Sequence, residues 1–386
     1  MSNLVQVEIE SLAPGGDAFG RQVGGPGNGR ATFVPLAAPG ELISARIVRQ
    51  KKDLAFAELV EVLRPSAART KPPCPLFGTC GGCQWQHVTI EVQQAAKLAI
   101  VKRALRFEDV QLLAPSQPFG YRERAKLVCV ERGAGHRLLG FKRRQSHEVV
   151  DVSSCPLLAP ALNAALSNLR KEALQPGDVS LQLGVGNLVG IARAGGSHIV
   201  ADGAMRAATA IDIAAPNEPP LQVPIGGFAQ VSTSGNQALI AAVMKNVGDS
   251  PGRVLELYAG AGNFTRFLVG ISSRVVASDL DAQSIKYGKA NVPQATWLAP
   301  EAIPLSDTFD TVVVDPPRAG LDELALDLVR MAAQTIVYVS CDPQTLSRDA
   351  RKLAEFGFQL THVEAFDLMP QTHHVEVVAR FAVGSR

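Results

Sequence analysis

Cys341 sits in the stretch I-V-Y-V-S-C-D-P, residues 336–343. Its first four residues are β-branched or aromatic and favour a buried strand. Asp342-Pro343 then turns the chain into a helix beginning near Gln344. In an open α/β sheet, ligands bind in the crevice outside the carboxyl ends of the strands. A thiol at that end is placed to react as a nucleophile; buried elsewhere, it would be a small hydrophobe. A second group of thiols reads C-x5-C-x2-C over Cys74, Cys80 and Cys83, with Cys155 far along the chain in S-S-C-P. Four thiolates can hold a [4Fe–4S] cluster or a tetrahedral zinc. Gly81-Gly82 leaves room for a bulky group, and a zinc ribbon usually offers two C-x2-C pairs where this chain has one, so iron–sulfur is preferred. Cys129 lies inside the alternating run Lys126 to Val130 and reads as structural.

A third group reads as a nucleotide-like site. Arg253 to Tyr258 has the composition of a strand, and Ala259-Gly260-Ala261-Gly262-Asn263-Phe264 follows as a Gly-rich turn into a helix. Such turns let the backbone approach a ligand closely. The next strand, Arg274 to Ser278, ends in Asp279, where a carboxylate can accept ribose hydroxyls. Dinucleotide sites use G-x-G-x-x-G, but position 265 is threonine, so the pattern fits S-adenosylmethionine (SAM) better than NAD. A further strand, Asp310 to Val314, ends in Asp315-Pro-Pro-Arg318.

These groups need a scaffold, and the chain of 386 residues is long enough for several domains. Residues 1–64 read as short strands punctuated by glycines, a small β-barrel with a basic edge at Arg46, Arg49, Lys51 and Lys52. Residues 65–220 hold the four thiols, a helix from Gln93 to Phe107 with Lys97, Lys102, Arg103 and Arg106 among its polar positions, and strands carrying Arg122, Arg124 and Lys126. The run Met205 to Pro220 is rich in Ala, Pro and Asn, and the main domain boundary is placed near its end. Residues 221–386 alternate strands and helices, including a helix from Leu321 to Ala333, and predict a doubly wound α/β domain.

Charge is unevenly distributed. Residues 95–150 hold 12 Lys+Arg against 5 Asp+Glu, whereas residues 151–386 hold 17 against 23. A basic middle on an acidic C-terminal half suggests that the middle meets a polyanion. No apolar run reaches a membrane span and the N-terminus lacks a basic-then-apolar signal pattern, so the expectation is a soluble cytoplasmic protein without a membrane partner, a monomer by default.

Taken together, the cysteine motif, F-x-Q (Phe228 to Gln230), D-P-P-R-x-G (Asp315 to Gly320), S-C-x-P (Ser340 to Pro343) and H-x-E (His374 to Glu376) resemble the SAM-dependent RNA uracil-C5 methyltransferases over nearly the whole chain. The first sixty residues, through the Gly-rich run and P-x-x-x-P-G-E (Pro35 to Glu41), resemble a TRAM domain, an OB-like RNA-binding barrel. The resemblance implies three parts: a TRAM β-barrel, an α+β iron–sulfur central domain and a Rossmann-like class I SAM methyltransferase domain. It implies that Cys341 is the nucleophile that adds to uracil C6 and Glu376 the base that removes the C5 proton. Gln230, Tyr258, Gly260, Gly262, Asn263, Asp279 and Asp315 match SAM-site positions, Phe228 and Arg318 lie near the target base, and Cys74, Cys80, Cys83 and Cys155 hold the [4Fe–4S] cluster. Asp342 departs from the family, which more often has Asn after the nucleophile, and the run Ala295 to Pro300 does not match its adenine-side segment.

The expected reaction is formation of 5-methyluridine in 23S rRNA, with the T-loop uridine of tRNA as the near alternative. A cluster-bearing RNA-binding protein without activity is a different class, against which intact Cys341 and Glu376 speak. A radical-SAM enzyme expects C-x3-C-x2-C, which the spacing from Cys74 to Cys80 does not meet.

Overall fold

The structure, a computed structural model, describes residues 4–133, 136–201, 204–214 and 218–384. Five strands, β1 (Leu4–Leu12), β2 (Ala18–Val23), β3 (Ala31–Val34), β4 (Leu42–Gln50) and β5 (Leu54–Arg64), close into a barrel in the order β1-β2-β3-β5-β4. Alternation does the sorting: Val7, Ile9, Val34, Ile43, Ala45 and Ala57 point inward and are buried. Glu41 is buried in the turn before β4, where it accepts from the Ala38 N–H at 2.8 Å and pairs with Arg69.

Next come helix α1 (Ile90–Leu105) and strand β6 (Val110–Leu113). A seven-stranded antiparallel sheet follows, built from β7 (Arg124–Arg132), β8 (His136–Lys142), β9 (Val149–Asp151), helix α2 (Pro160–Leu169), β10 (Gly177–Leu183), β11 (Val189–Arg193), β12 (Gly196–Ala201) and β13 (Ala204–Ala207). Leu162, Leu166 and Leu169 of α2 recur on one helical face, and all are buried with Leu127, Val179 and Leu181 of the sheet. The hairpin β14 (Ala210–Ile213) and β15 (Leu221–Pro224) leads into the C-terminal part.

That part contains α3 (Thr233–Val247), β16 (Arg253–Leu257), α4 (Thr265–Leu268), β17 (Arg274–Ser278), α5 (Ala282–Asn291), β18 (Thr296–Leu298), β19 (Phe309–Val314), α6 (Glu323–Val329), β20 (Ala332–Ser340), α7 (Pro343–Glu355), β21 (Phe358–Phe366) and β22 (Glu376–Val383). The sheet order is β18-β17-β16-β19-β20-β22-β21-β6, parallel from β18 to β20 and antiparallel at β22. The central strands read as continuous apolar runs because helices cover both faces, leaving Val312, Val313, Ile336, Val337 and Tyr338 fully buried.

Several expectations need correction. The helix predicted over Leu321 to Ala333 spans only Glu323–Val329, because Asp322 caps its start and β20 already begins at Ala332. Within the Ala-, Pro- and Asn-rich run from Met205 to Pro220, the described residues enter β13 and β14, and residues 215–217 lie outside the described residues. The strand from Arg253 stops at Leu257, since Tyr258 takes a left-handed φ of +60°. Lys97 is not a polar surface position of its helix. It is buried and bonds Asp367 at 2.5 Å and the Met369 carbonyl at 3.0 Å. The middle of the chain also supplies β6, which pairs in parallel with β21 at the edge of the C-terminal sheet. Among the described residues, no helix is long and apolar enough to cross a membrane.

Candidate active site at the carboxyl edge of the sheet

The site is built by strand register. In the antiparallel pair β20–β22, Ser340 lies opposite Val377, so Cys341 at the end of β20 faces Glu376 at the start of β22. In the parallel pairs, Leu257 of β16 lies beside Val314 of β19 and Ser278 of β17, which brings Tyr258, Asp315 and Asp279 to the same edge. A short helix-capping turn follows Cys341: the Asp342 side chain accepts from the Gln344 and Thr345 N–H groups at 2.8 and 3.2 Å. Asp342 thereby acts as an N-cap, which accounts for an acid at this position.

Burial governs the electrostatics. Burial, with help from Glu376 and Asp315 and against Arg318, pushes the Cys341 thiol up to about 11. Glu376 is buried and pushed up to about 8 by desolvation and by Asp315, against Arg318. Asp315 is pushed up to about 7 by desolvation alone. Arg318 is thus the cation that acts on both the thiol and the glutamate. Its guanidinium lies 3.2 Å from His374 Nε2, and burial holds that imidazole neutral at a pKa of about 3.

The loop carrying Arg318 is held from behind. Tyr338 donates to Asp349 Oδ2 at 2.8 Å, and the Leu321 N–H donates to the same oxygen at 3.0 Å. Gly320 has φ +81°, and a Cβ there would meet Asp349 at 2.3 Å, so only glycine fits. Asp349 is therefore a supporting residue that sequence reasoning missed; it is buried on helix α7 and its helical polar spacing alone gives no sign of it.

Beside this group lies the Gly-rich turn. Gly260 and Gly262 have φ of +57° and +102°, and the Gly260 N–H donates to Asp279 Oδ2 at 2.9 Å. Asn263 exchanges two 2.8 Å hydrogen bonds with Asn236 of α3. Leu257, Tyr258, Asp279, Leu280, Pro300 and Asp322 line a cavity of about 300 Å³. Pro300 thus reaches the site although its segment matched no expected pattern. Thr265, standing where a dinucleotide site has its third glycine, donates at 2.6 Å to Glu256 Oε2. Glu256 is buried, is pushed up to about 8 by desolvation, and keeps Oε1 unpartnered. It is a second residue that sequence reasoning missed, and the signal was present: a carboxylate inside an otherwise apolar strand.

Gln230 lines a second cavity of about 320 Å³ with Arg124, Gln182 and Asn236. Phe228 is 67% exposed, with the Arg124 guanidinium 5.3 Å from its ring centre.

Four further thiols gather on the loop 74–83 and at Cys155, while Cys129 is buried in β7. Cys83 is pushed up to about 12 by burial and feels Cys155, Cys80 and Cys74; Cys80 and Cys155 in turn feel one another or Cys74. Among the described residues, no three His, Cys, Asp or Glu side chains stand as close as the ligands of a single ion. A tetrahedral zinc with bonds of about 2.3 Å would draw its sulfurs to about 3.8 Å from one another. The four thiols lie close enough to influence one another, but they are not gathered as the ligands of one ion. Gln86 Nε2 lies 3.1 Å from Cys83 Sγ and the Gly82 N–H 3.4 Å from Cys80 Sγ, donors of the kind that stabilise thiolates.

A parallel sheet with a Gly-rich turn, an acid on the next strand and a cysteine at a strand end defines an α/β fold with a ligand crevice at the carboxyl edge. Comparison with known proteins narrows this. Residues 299–380 match the tRNA (uracil-5-)-methyltransferase family model. The chain is 30% identical to the 23S rRNA (uracil(1939)-C(5))-methyltransferase RlmD of Pectobacterium atrosepticum, covering 97% of this chain and 93% of that one. It is 29% identical to the RlmD of Vibrio parahaemolyticus, over 90% of each chain. The fold is similar to that of the Pyrococcus abyssi tRNA (uracil-54, C5)-methyltransferase, crystallised with S-adenosyl-L-homocysteine, at a TM-score of 0.76 and 23% identity over 97% of this chain. The chain belongs to the SAM-dependent RNA uracil-C5 methyltransferase family.

Proposed function

We propose that this enzyme methylates C5 of a uridine in 23S rRNA through a covalent adduct on Cys341. The observation that carries the reading is the register that sets Cys341 opposite Glu376 with Arg318 acting on both. Uracil C5 is a poor nucleophile. Addition of the Cys341 thiolate to C6 makes an enolate whose C5 can take a methyl group. SAM supplies that methyl. Glu376 then accepts the C5 proton, the C5–C6 double bond re-forms and the thiolate departs. Arg318 stabilises the thiolate before addition and again on departure.

The cavity beside Tyr258 and Asp279 suits the nucleoside of SAM, with Gly260 and Gly262 giving the backbone its close approach and Asp279 positioned for ribose hydroxyls. Gln230, Asn263 and Asp315 complete the set. The carboxyl groups of Glu256, whose Oε1 is unpartnered, and Asp315 favour a cationic sulfonium over its neutral thioether product. Phe228, exposed beside Arg124, is suited to stack on a base that must leave the RNA fold to reach Cys341. The same reading has a [4Fe–4S] cluster held by Cys74, Cys80, Cys83 and Cys155, four thiols close enough to raise one another's pKa. Its role in this reading is architectural. The division into a TRAM-like barrel (1–64), a central domain (65–220) and a methyltransferase domain (221–386), acting as a monomer, is part of the same reading.

The choice of 23S rRNA rests on relatives named for that substrate across nearly the full chain. Transfer of labelled methyl from SAM to unmodified 23S rRNA and, separately, to unmodified tRNA tests it. Label in 5-methyluridine of the rRNA is expected; label only in tRNA would reassign the substrate, and label in neither would refute the activity.

A further inference from the structure

The loop from Asp367 to Val375, which joins β21 to β22 and delivers Glu376, is held almost entirely by residues from the N-terminal half of the chain. Gln93 of α1 is fully buried and sits at the centre. Its Nε2 donates to the carbonyls of Trp85 and Val88 at 3.0 and 2.7 Å and to Gln371 Oε1 at 3.1 Å. Its Oε1 accepts from the Gln371 N–H at 2.8 Å. The Gln371 carbonyl accepts from the N–H groups of Gln84 and Trp85 at 3.1 and 3.0 Å. These bonds hold Gln371 at φ +70°, a left-handed conformation that a non-glycine residue adopts at a cost. One turn further along α1, Lys97 bonds Asp367 and the Met369 carbonyl, and the Tyr121 hydroxyl donates to the Pro370 carbonyl at 3.0 Å.

The clamp continues toward the reacting groups. Gln84 Oε1 lies 3.1 Å from His373 Nδ1, the His373 and His374 rings are 4.1 Å apart, and His374 meets Arg318. Gln84 directly follows Cys83, so one short segment carries both a thiol and a contact to the loop that precedes Glu376.

We propose that Gln93 is a positioning residue for Glu376, and that through it the cysteine-bearing segment sets the geometry of the proton-removal step. The inference rests on the covalent mechanism proposed above. In that mechanism the C6–S bond forms and methyl is transferred before Glu376 is needed. Elimination then moves the C5 proton to Glu376, turns the C5–H electron pair into the C5–C6 double bond and returns the C6–S pair to sulfur. Displacing Glu376 leaves the first half intact and stalls the second, so a methylated protein–RNA adduct builds up. Loss of stability alone would not produce such an adduct.

The test compares Gln93→Leu with wild type and with Leu162→Ala, a core truncation in α2 remote from the loop, all as full-length protein reconstituted with iron and sulfide and acting on unmodified 23S rRNA. For Gln93→Leu, kcat is expected to fall at least tenfold with the KM for SAM within twofold, while an SDS-stable adduct carrying the labelled methyl accumulates. Leu162→Ala should lower the melting temperature without adduct. Gln84→Ala, which keeps the Gln93 core and loses only the His373 contact, gives the same direction at smaller size if Gln93→Leu does not fold. Wild-type kcat in Gln93→Leu, or in the fallback Gln84→Ala, or a fall in kcat without adduct, would overturn the proposal. Wild-type protein that transfers no methyl would instead refute the mechanism on which it stands.

Discussion

The crevice at the sheet edge and the loop that closes it follow opposite rules. In the crevice, the buried Glu256 and Glu376 and the half-buried Asp315 are carboxylates with raised pKa values, and Glu256 Oε1 has no partner. In the loop from Asp367 to Val375, the backbone carbonyls of Met369, Pro370 and Gln371 all accept hydrogen bonds from residues 84–121. Burying polar groups without partners is costly, and the cost is tolerated where a ligand will supply what is missing. The loop's backbone carbonyls, by contrast, are satisfied before any ligand arrives, although Asp367 Oδ2 on its first side chain has no partner. The contrast separates the part that binds and reacts from the part that holds the reacting groups still.

Predictions can break this contrast from either side. On the reactive side, Cys341→Ala should lower methyl transfer at least about 10³-fold while leaving the melting temperature nearly unchanged, because the thiol is at a strand end and only partly buried. Glu376→Gln should lower kcat by about 10² to 10⁴-fold and accumulate adduct, read on denaturing gels with labelled SAM. On the holding side, Lys97→Met leaves Asp367 buried without its cation and should cost about 3–5 kcal/mol in denaturant unfolding, whereas Lys97→Met with Asp367→Leu should recover most of that. A wild-type stability for the single variant would remove the loop from the account.

The smallest effect is a shift in pH dependence. Glu376 acts as a base only when deprotonated, and its pKa is raised to about 8, so breakdown of the methylated adduct should speed up with pH up to about 8. Asp315 pushes that pKa up, so Asp315→Asn should move the limb to lower pH; Arg318 pulls it down, so Arg318→Gln should move it higher. Between about pH 6.5 and 8 the same burial makes the unliganded fold less stable as pH rises, since the unfolded carboxylates are already ionised; below about 6.5 the buried imidazoles of His87, His373 and His374 act in the opposite sense. A melting temperature that climbs over the upper range would contradict the burial of these carboxyl groups.

What the sequence revealed follows from the same division. The reactive residues stand in short contiguous runs, S-C-D-P, D-P-P-R-A-G and H-x-E, whose order and spacing are visible without a fold. The class of sheet was visible too, because the strands of a parallel sheet are continuous apolar runs. The holding residues were not visible. Gln93 and Gln371 lie 278 positions apart, and Lys97 and Asp367 lie 270 apart. Each alone reads as an ordinary polar residue, and only the tertiary contact explains it. Likewise β6 joins the C-terminal sheet from the middle of the chain, a pairing that four residues of local pattern cannot announce. Thr265 shows the intermediate case: the missing glycine argued against NAD, but its hydroxyl bond to Glu256 needed the fold.

The central claim, that Cys341 bonds to uracil C6, is tested most directly with RNA carrying 5-fluorouridine at the target position. Fluorine at C5 cannot leave as a proton, so the elimination step is blocked and the adduct persists. The account predicts a SAM-dependent, SDS-stable protein–RNA species whose peptide maps to Cys341 and which Cys341→Ala fails to form. Methyl transfer to unmodified RNA without any adduct from the fluorinated RNA, or an adduct mapped to another cysteine, would contradict it.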